Sequence, residues 1–228
     1  MGKLRPILFK LDMVVALLDG TKTQTSRLGN RWEKVKAGDW FYVKENFCEV
    51  GNYGFIGGWN KSPNYRIYYK TEPQPEPFHY YIWRNKPCIH MFKKDSRILL
   101  EVTSVEKRKL SSITDEECIA EGIKAIDMHM SSIETPFWKL YSGIRAVTKS
   151  PIVSFVSLWD SINAKKEGCS WKDNPYIWMP KFKVLSTTLE ETQKLIEGMD
   201  LIKGHCFDKS GHDMGDPSDM GDPSDMVL

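Results

Sequence analysis

The sequence lacks the features of membrane proteins, secreted proteins and zinc knuckles. None of its apolar runs approaches the length of a membrane span, and the first residues, MGKLRP, contain no secretory apolar core. Pro6 stands where an N-myristoylation signal requires Ser or Thr. The five cysteines are scattered, odd in number and never spaced as CxxC. We therefore expect a cytoplasmic protein with no membrane association, no disulfide framework, no metal ion and no cofactor.

Charge is distributed unevenly along the chain. The formal net charge is +2, but residues 208–228 contain six aspartates and one lysine, which leaves +7 on residues 1–207. The hexapeptide GDPSDM occurs twice in this tail and is too polar to bury a core, so the tail is predicted to be flexible. A basic body is compatible with a polyanionic partner, and it is equally ordinary for a soluble domain.

Apolar periodicity and turn residues predict a mixed fold of helices and strands. Asp12 is expected to cap a helix over residues 13–19 that stops at Gly20. A capping box that starts at Thr114 predicts a short helix over 114–121. Further helices are expected over 151–162, after Ser150-Pro151, and over 189–199. The expected strands of the central sheet are 6–10, 40–44, 97–105 and 176–185, of which the last contains Pro180 and so lies at an edge or a bulge.

Two segments are interpreted as insertions into this fold. Residues 48–90 are rich in Gly, Pro, Asn and aromatic side chains, and residues 124–149 form a second irregular segment. Aromatic side chains between basic residues suit stacking on bases with neutralisation of phosphates, and Trp59 and Trp83 are the candidates for exposed stacking residues. The alternative is that most of these aromatic side chains form a small core of the insertion.

The octapeptide Gly20–Arg27 carries the strongest chemical pattern. If the chain leaves the first helix extended, Thr25 and Arg27 share a face and Lys22 reaches that face from the turn. A neighbouring arginine disfavours the ammonium form of a lysine, and a neutral lysine can activate a hydroxyl or a water. The alternative is a solvated basic turn after a helix.

The residues of this motif also resemble a family signature. The helix followed by Gly20, Lys22, Thr25 and Arg27 is similar to the GxKxxExR-type signature of the ASCH domain, a branch of the PUA-like superfamily. The resemblance covers residues 1–186. Segments that resemble ASCH-like proteins of bacteriophages and prophages follow in order: Cys88–Met91, Arg97–Val102, Ile113–Glu116, Ala120–Ile123, Phe155–Asn163 and Asn174–Trp178.

The resemblance implies an α+β fold of the PUA-like type. This fold is a small curved β-barrel with helices packed over its ends and a cleft under the first helix. The expected organisation is one domain over residues 1–186, with insertions at about 48–90 and 124–149, a terminal helix within 187–207 and the flexible acidic tail 208–228.

The resemblance also implies a class of ligand. Members of the superfamily bind RNA, modified bases or nucleosides, and the N4-acetylcytidine amidohydrolases remove an acetyl group from the cytosine amine. Their catalytic lysine, threonine and glutamate correspond to Lys22, Thr25 and Glu121 of this chain. Thr25 stands where many ASCH domains have glutamate, which favours this comparison. The chain departs from those enzymes in its greater length and in its two aromatic insertions.

Roles follow for each candidate residue. Thr25, or a water that it positions, would attack the amide, neutral Lys22 would accept the proton, and Glu121 would orient Lys22 or protonate the leaving nitrogen. Arg27 would hold a phosphate or stabilise an oxyanion. The candidate binding residues are Gly20, Arg27, Trp59, Trp83 and His90.

Three functions are compatible with these patterns. The cleft could recognise a nucleoside, RNA or a modified base without chemistry, or it could hydrolyse an N-acyl group on cytosine. In the third, a phage-encoded interaction protein uses the fold as a scaffold in the host cytoplasm and engages a host protein through the acidic tail.

Overall fold

The computed structural model of the chain describes residues 2–53, 59–60, 66–72, 81–126, 136–141 and 146–203. Helices and β-sheets are mixed along it, in agreement with the predicted α+β class. The described helices are α1 (Leu11–Leu18), α2 (Asp115–Ala120), α3 (Pro151–Asn163) and α4 (Leu189–Lys203). The described strands are β1 (Leu4–Leu8), β2 (Trp40–Lys44), β3 (Phe47–Tyr53), β4 (Trp59–Asn60), β5 (Arg66–Tyr69), β6 (Tyr81–Lys86), β7 (Leu99–Lys109), β8 (Ala125–Ile126), β9 (Phe137–Lys139), β10 (Val147–Thr148) and β11 (Tyr176–Ser186). The predicted tail, 208–228, lies outside the described residues.

The four strands predicted for the central sheet pair in the order β1-β2-β7-β11. β1 is parallel to β2, whereas β7 is antiparallel to both β2 and β11. Alternate side chains of β2, Phe41 and Val43, are buried, so one face of the sheet packs against the main core. This mostly antiparallel pairing excludes a doubly wound parallel sheet.

The segment that follows α1 extends the sheet beyond β11. Two isolated bridges join it to β11, one from Gln24 to Lys181 and one from Arg27 to Trp178. At the opposite edge of the sheet, Arg27 Nη2 donates a hydrogen bond to the Leu8 carbonyl oxygen of β1 at 3.0 Å. The expected closed barrel is not found among the described residues, because a side chain and not a backbone ladder joins these two edges.

Pro180 lies inside β11, opposite Val105 of β7. The register between these strands shifts between Lys181 and Phe182, immediately after the proline. The carbonyl oxygen of Pro180 accepts a hydrogen bond from the Thr25 N–H at 3.1 Å. Since proline cannot donate to a ladder, a bulge at this place agrees with the expectation from the sequence.

Helix starts are mostly where local chemistry predicts them. Thr114 forms a capping box with Glu117 at α2, and the Ser150 side chain caps α3. Asp12 is not the N-cap of α1: the helix begins at Leu11, and Lys10 occupies the N-cap position without a side-chain hydrogen bond. Asp12 lies in the first turn instead, where a carboxylate still interacts favourably with the helix dipole.

Two smaller sheets lie in the ranges interpreted as insertions. β3 pairs with β4, β5 and β6, and β9 pairs with β8 and β10. The first of these sheets is tied to the main fold by Arg97, whose guanidinium binds both carboxylate oxygens of Glu45 at 2.9 and 3.0 Å. The same guanidinium donates to Glu72 at 2.6 Å and lies 4.2 Å from the Tyr69 ring centre.

Candidate functional site

The motif after α1 is held between α1, α2 and β11. Gly20 has φ +79°, a left-handed conformation in which the chain turns out of the helix. The Lys22 N–H then donates to the Ala16 carbonyl oxygen at 2.9 Å, and the N–H groups of Thr23 and Gln24 donate to that of Ala120 at 2.9 and 3.2 Å. These bonds fix the backbone from which the candidate side chains project.

Lys22 and Glu121 form a buried ion pair at this place. Lys22 Nζ donates to the Glu121 carbonyl oxygen at 2.5 Å and to Glu121 Oε2 at 3.3 Å. The exposed fractions of the two side chains are 0% and 1%. Ser26 Oγ donates to the other carboxylate oxygen, Glu121 Oε1, at 2.6 Å. The structure thus places Glu121, which is distant in sequence, against the motif.

Gly122 allows α2 to approach α1 closely. It follows Glu121 at φ +95°, and an added Cβ would lie 3.0 Å from Ala16 Cβ and 3.4 Å from Lys22 Cδ. A side chain at this position would therefore press on the lysine itself. The short helix α2, its capping box and this glycine together set the position of Glu121.

Burial governs the protonation of Lys22. The pKa of Lys22 is lowered from 10.5 to about 8, first because the ammonium is desolvated and further because Arg27 is close, while Glu121 acts in the opposite direction. The neighbouring arginine expected from the sequence does lower this pKa, and desolvation lowers it more. A substantial fraction of this lysine is neutral near pH 8.

Thr25 is fully buried, but nothing in the described part of the chain accepts a hydrogen bond from, or donates one to, its hydroxyl. It is Ser26 whose hydroxyl contacts Glu121. The motif is extended, so alternate residues point the same way: Lys22, Gln24 and Ser26 all bond to residues 117–121. Sequence reasoning missed Ser26, although a spacing of two counted from Lys22 would have found it.

Arg27 has a different place from the one expected. Only 2% of it is exposed, so its guanidinium is not open to a phosphate. Its guanidinium carbon lies 5.2 Å from the centre of the Phe9 ring and 5.5 Å from the centre of the Trp32 ring. Cation–π contacts and the bond to Leu8 indicate that Arg27 joins the edges of the sheet.

A cavity of about 380 Å³ lies beside this cluster, lined by Leu8, Phe9, Lys10, Leu11, Asp12, Asn46 and Cys88. Phe9 connects it with the cluster, because the Phe9 ring centre is also 5.1 Å from Lys22 Nζ. Lys22, Thr25 and Glu121 do not themselves line the cavity. The structure thus brings Lys22 and Glu121 together in a closed cluster behind Phe9, and not on the wall of this cavity.

Among the remaining predicted binding residues, the described contacts bring neither Gly20 nor His90 to this cluster. Gly20 is exposed at the end of α1. His90 is exposed at the end of a short 3₁₀ turn, two residues from Cys88 on the cavity wall. Trp59 and Trp83 lie in β4 and β6, but their side chains are outside what the structure describes.

Within the described residues there is no group of three or more His, Cys, Asp or Glu side chains that could hold a metal ion. A search of the same residues finds no helix that is long and apolar enough to cross a membrane. Comparison with protein-family models, with curated proteins and with solved structures gives no match to this chain.

Proposed function

We propose that the buried cluster of Lys22, Ser26 and Glu121, together with the buried hydroxyl of Thr25 in the same motif, hydrolyses an N-acyl group on the exocyclic amine of a cytosine-type nucleoside. The nucleoside would bind in the 380 Å³ cavity, a volume at the lower end of the range of about 300–1,000 Å³ for small-molecule sites. The proposal includes the PUA-like assignment of the fold made from the ASCH-type motif. The observation that carries it is a fully buried lysine with a pKa near 8, paired with a carboxylate.

The hydrogen bonds of Lys22 suit a general base. An ammonium has three N–H donors, and two acceptors of Lys22 Nζ are both atoms of Glu121. A neutral amine can keep both bonds with its two N–H groups and has one lone pair left. That lone pair can take a proton from a nucleophile without any rearrangement of Glu121.

The buried hydroxyl of Thr25 supplies the nucleophile, either directly or through a water that it positions. Its oxygen, or that of the water, bonds to the acyl carbon, and Lys22 Nζ takes the proton released. The bond between the acyl carbon and the exocyclic nitrogen then breaks, and Lys22 returns the proton to that nitrogen. With direct attack, water repeats the cycle on the acyl-threonine, so that one water is consumed and the products are the free amine and a carboxylic acid.

Ser26 and Glu121 hold the base in position in this scheme. The Ser26 hydroxyl occupies Glu121 Oε1 and so leaves Oε2 for Lys22. Access of the acyl group to Lys22 requires the Phe9 ring to move, because Phe9 lines the cavity and also packs on the amine. Leu8, Phe9 and Leu11 give the cavity an apolar part that suits the flat face of a base.

The direct test is incubation of the purified protein with N4-acetylcytidine, with release of cytidine followed by mass spectrometry. Turnover should increase with pH through about 8, as Lys22 becomes the neutral base. Lys22→Arg keeps a positive charge but cannot act as a base at these pH values, so it should abolish turnover. Ligand affinity should change by less than about tenfold, or ~1.4 kcal/mol.

Lys165→Arg makes the same exchange at an exposed lysine and should leave turnover unchanged. Arginine could also be too large for this buried site, so Thr25→Val serves as a second variant that keeps the side-chain shape. Turnover that survives in folded Lys22→Arg, or in Thr25→Val where Lys22→Arg does not fold, would contradict the mechanism.

Recognition of a base without chemistry is the second candidate function. The closure of the cluster favours it, since Lys22 and Glu121 are almost completely buried and could serve only to hold α2 against the motif. In that case the wild type and Lys22→Arg should both bind cytidine nucleosides, and neither should change N4-acetylcytidine.

A further inference from the structure

Asn46 has a fixed amide orientation on the wall of the 380 Å³ cavity. It lies between β2 and β3, and its Oδ1 accepts a hydrogen bond from the Cys88 backbone N–H at 2.9 Å. A backbone N–H can only donate, so the partner atom must be the amide oxygen and not the nitrogen. The Asn46 carbonyl oxygen accepts a second bond, from the Lys70 N–H at 3.3 Å. Both the backbone and the side chain of Asn46 are thus held in place.

This orientation directs the Nδ2 group of Asn46 away from its protein partner. Among the described residues, no acceptor takes a hydrogen bond from Nδ2, and this nitrogen is not buried. Its two N–H donors therefore remain accessible on a residue that lines the cavity. A donor group held in place beside the apolar side chains of a cavity wall is a typical means of ligand selection.

We propose that Asn46 determines specificity by donating through Nδ2 to the O2–N3 edge of a cytosine-type base. This edge presents two acceptors in cytosine, whereas uracil has an N–H donor at N3, which would face the amide N–H groups of Asn46. The inference rests on the proposed function, because it places the base in the same cavity. It adds the residue that selects pyrimidines with acceptors at both O2 and N3 over uracil.

Isothermal titration of the full chain with cytidine and with uridine tests the assignment. The wild type should prefer cytidine by about tenfold or more, the discrimination expected of a well-placed polar contact to a base edge. Asn46→Asp retains the oxygen that accepts from Cys88 but replaces the two donors with an acceptor. It should lose the preference for cytidine or reverse it in favour of uridine.

Asn30→Asp introduces the same charge at an exposed asparagine and should keep the wild-type preference. If Asn46→Asp does not fold, Asn46→Ala also removes the two amide donors and should likewise lose the preference. Equal binding of the two nucleosides by the wild type, binding of neither, or an unchanged preference in folded Asn46 variants would overturn the assignment.

The same titration separates this inference from the hydrolytic function. A cytidine preference that depends on Asn46, in a protein that leaves N4-acetylcytidine intact, would support the inference and refute hydrolysis. Hydrolysis of N4-acetylcytidine with unchanged KM in Asn46→Asp would refute the inference and leave hydrolysis standing.

Discussion

Lys22 and Glu121 are 99 positions apart in the chain, yet Lys22 Nζ donates to both the carbonyl oxygen and the side chain of Glu121. This contact joins the turn after α1 to the end of α2. Because both side chains are almost fully buried, the pair is costly to desolvate and its protonation is linked to folding. The first prediction follows from this linkage.

The stability of the protein should rise with pH in the range where Lys22 titrates. The pKa of Lys22 is about 8 in the folded protein, against 10.5 for an ordinary lysine. Between these values the unfolded chain binds more protons, so the free energy of unfolding increases with pH. Below about pH 8 the buried ammonium of Lys22 lowers the free energy of unfolding by its full amount. Loss of its proton as the pH rises returns on the order of 3 kcal/mol to that free energy.

Urea denaturation at several pH values in this range measures the slope of the free energy of unfolding against pH. Lys22→Met should remove this contribution to the slope, although it lowers stability overall because Glu121 loses its partner. Lys165→Met, at an exposed lysine, should retain the wild-type slope. An identical slope in the wild type and Lys22→Met would show that Lys22 titrates normally.

The second prediction concerns the hydroxyl groups of two fully buried threonines. Thr25→Val removes a hydroxyl for which no partner is found in the described part of the chain, so it should leave stability unchanged or raise it. Thr192→Val removes a hydroxyl that donates to the Arg97 carbonyl oxygen at 2.7 Å, so it should cost about 1–3 kcal/mol. Thermal denaturation of the two variants gives the comparison, and a loss of stability in Thr25→Val as large as in Thr192→Val would indicate a hidden partner.

The third prediction separates backbone strain from crowding at Gly122. Gly122→Ala should cost about 1 kcal/mol for a positive φ and about 1–3 kcal/mol more for contact with Ala16 and Lys22. Gly168→Ala has a similar φ of +72° but meets nothing within 4 Å, so it should show only the backbone cost. The difference in the free energy of unfolding between the two variants measures the crowding. Equal losses would mean that α1 and α2 can separate without cost.

The fourth prediction concerns the two carboxylates that bind Arg97. Glu45 is 2% exposed and Glu72 is 42% exposed. Glu45→Gln leaves a buried guanidinium with poorer compensation and should cost about 3 kcal/mol or more, whereas Glu72→Gln should cost about 1 kcal/mol or less. Chemical denaturation that ranked the two losses in the opposite order would contradict the assignment of Glu45 as the main partner.

The difference between Thr25 and Ser26 shows the limit of prediction from the sequence. The extended motif was predicted, and so was the alternation of its side chains. The sequence could not tell which set of alternate residues faces α2, because that depends on pairing with β11. A shift of one residue exchanges the two faces, so Ser26 was missed and Arg27 was taken for a ligand-binding residue.

Local chemistry alone determined the helix starts at Thr114 and Ser150, the turn at Gly20 and the four strands of the central sheet. The reason is that capping, glycine conformation and apolar alternation each act over only a few residues. Only the tertiary structure decided that the cluster is closed behind Phe9 and that Arg27 joins the sheet edges. Burial and the lowered pKa of Lys22 likewise depend on residues about a hundred positions away, and no local pattern contains that distance.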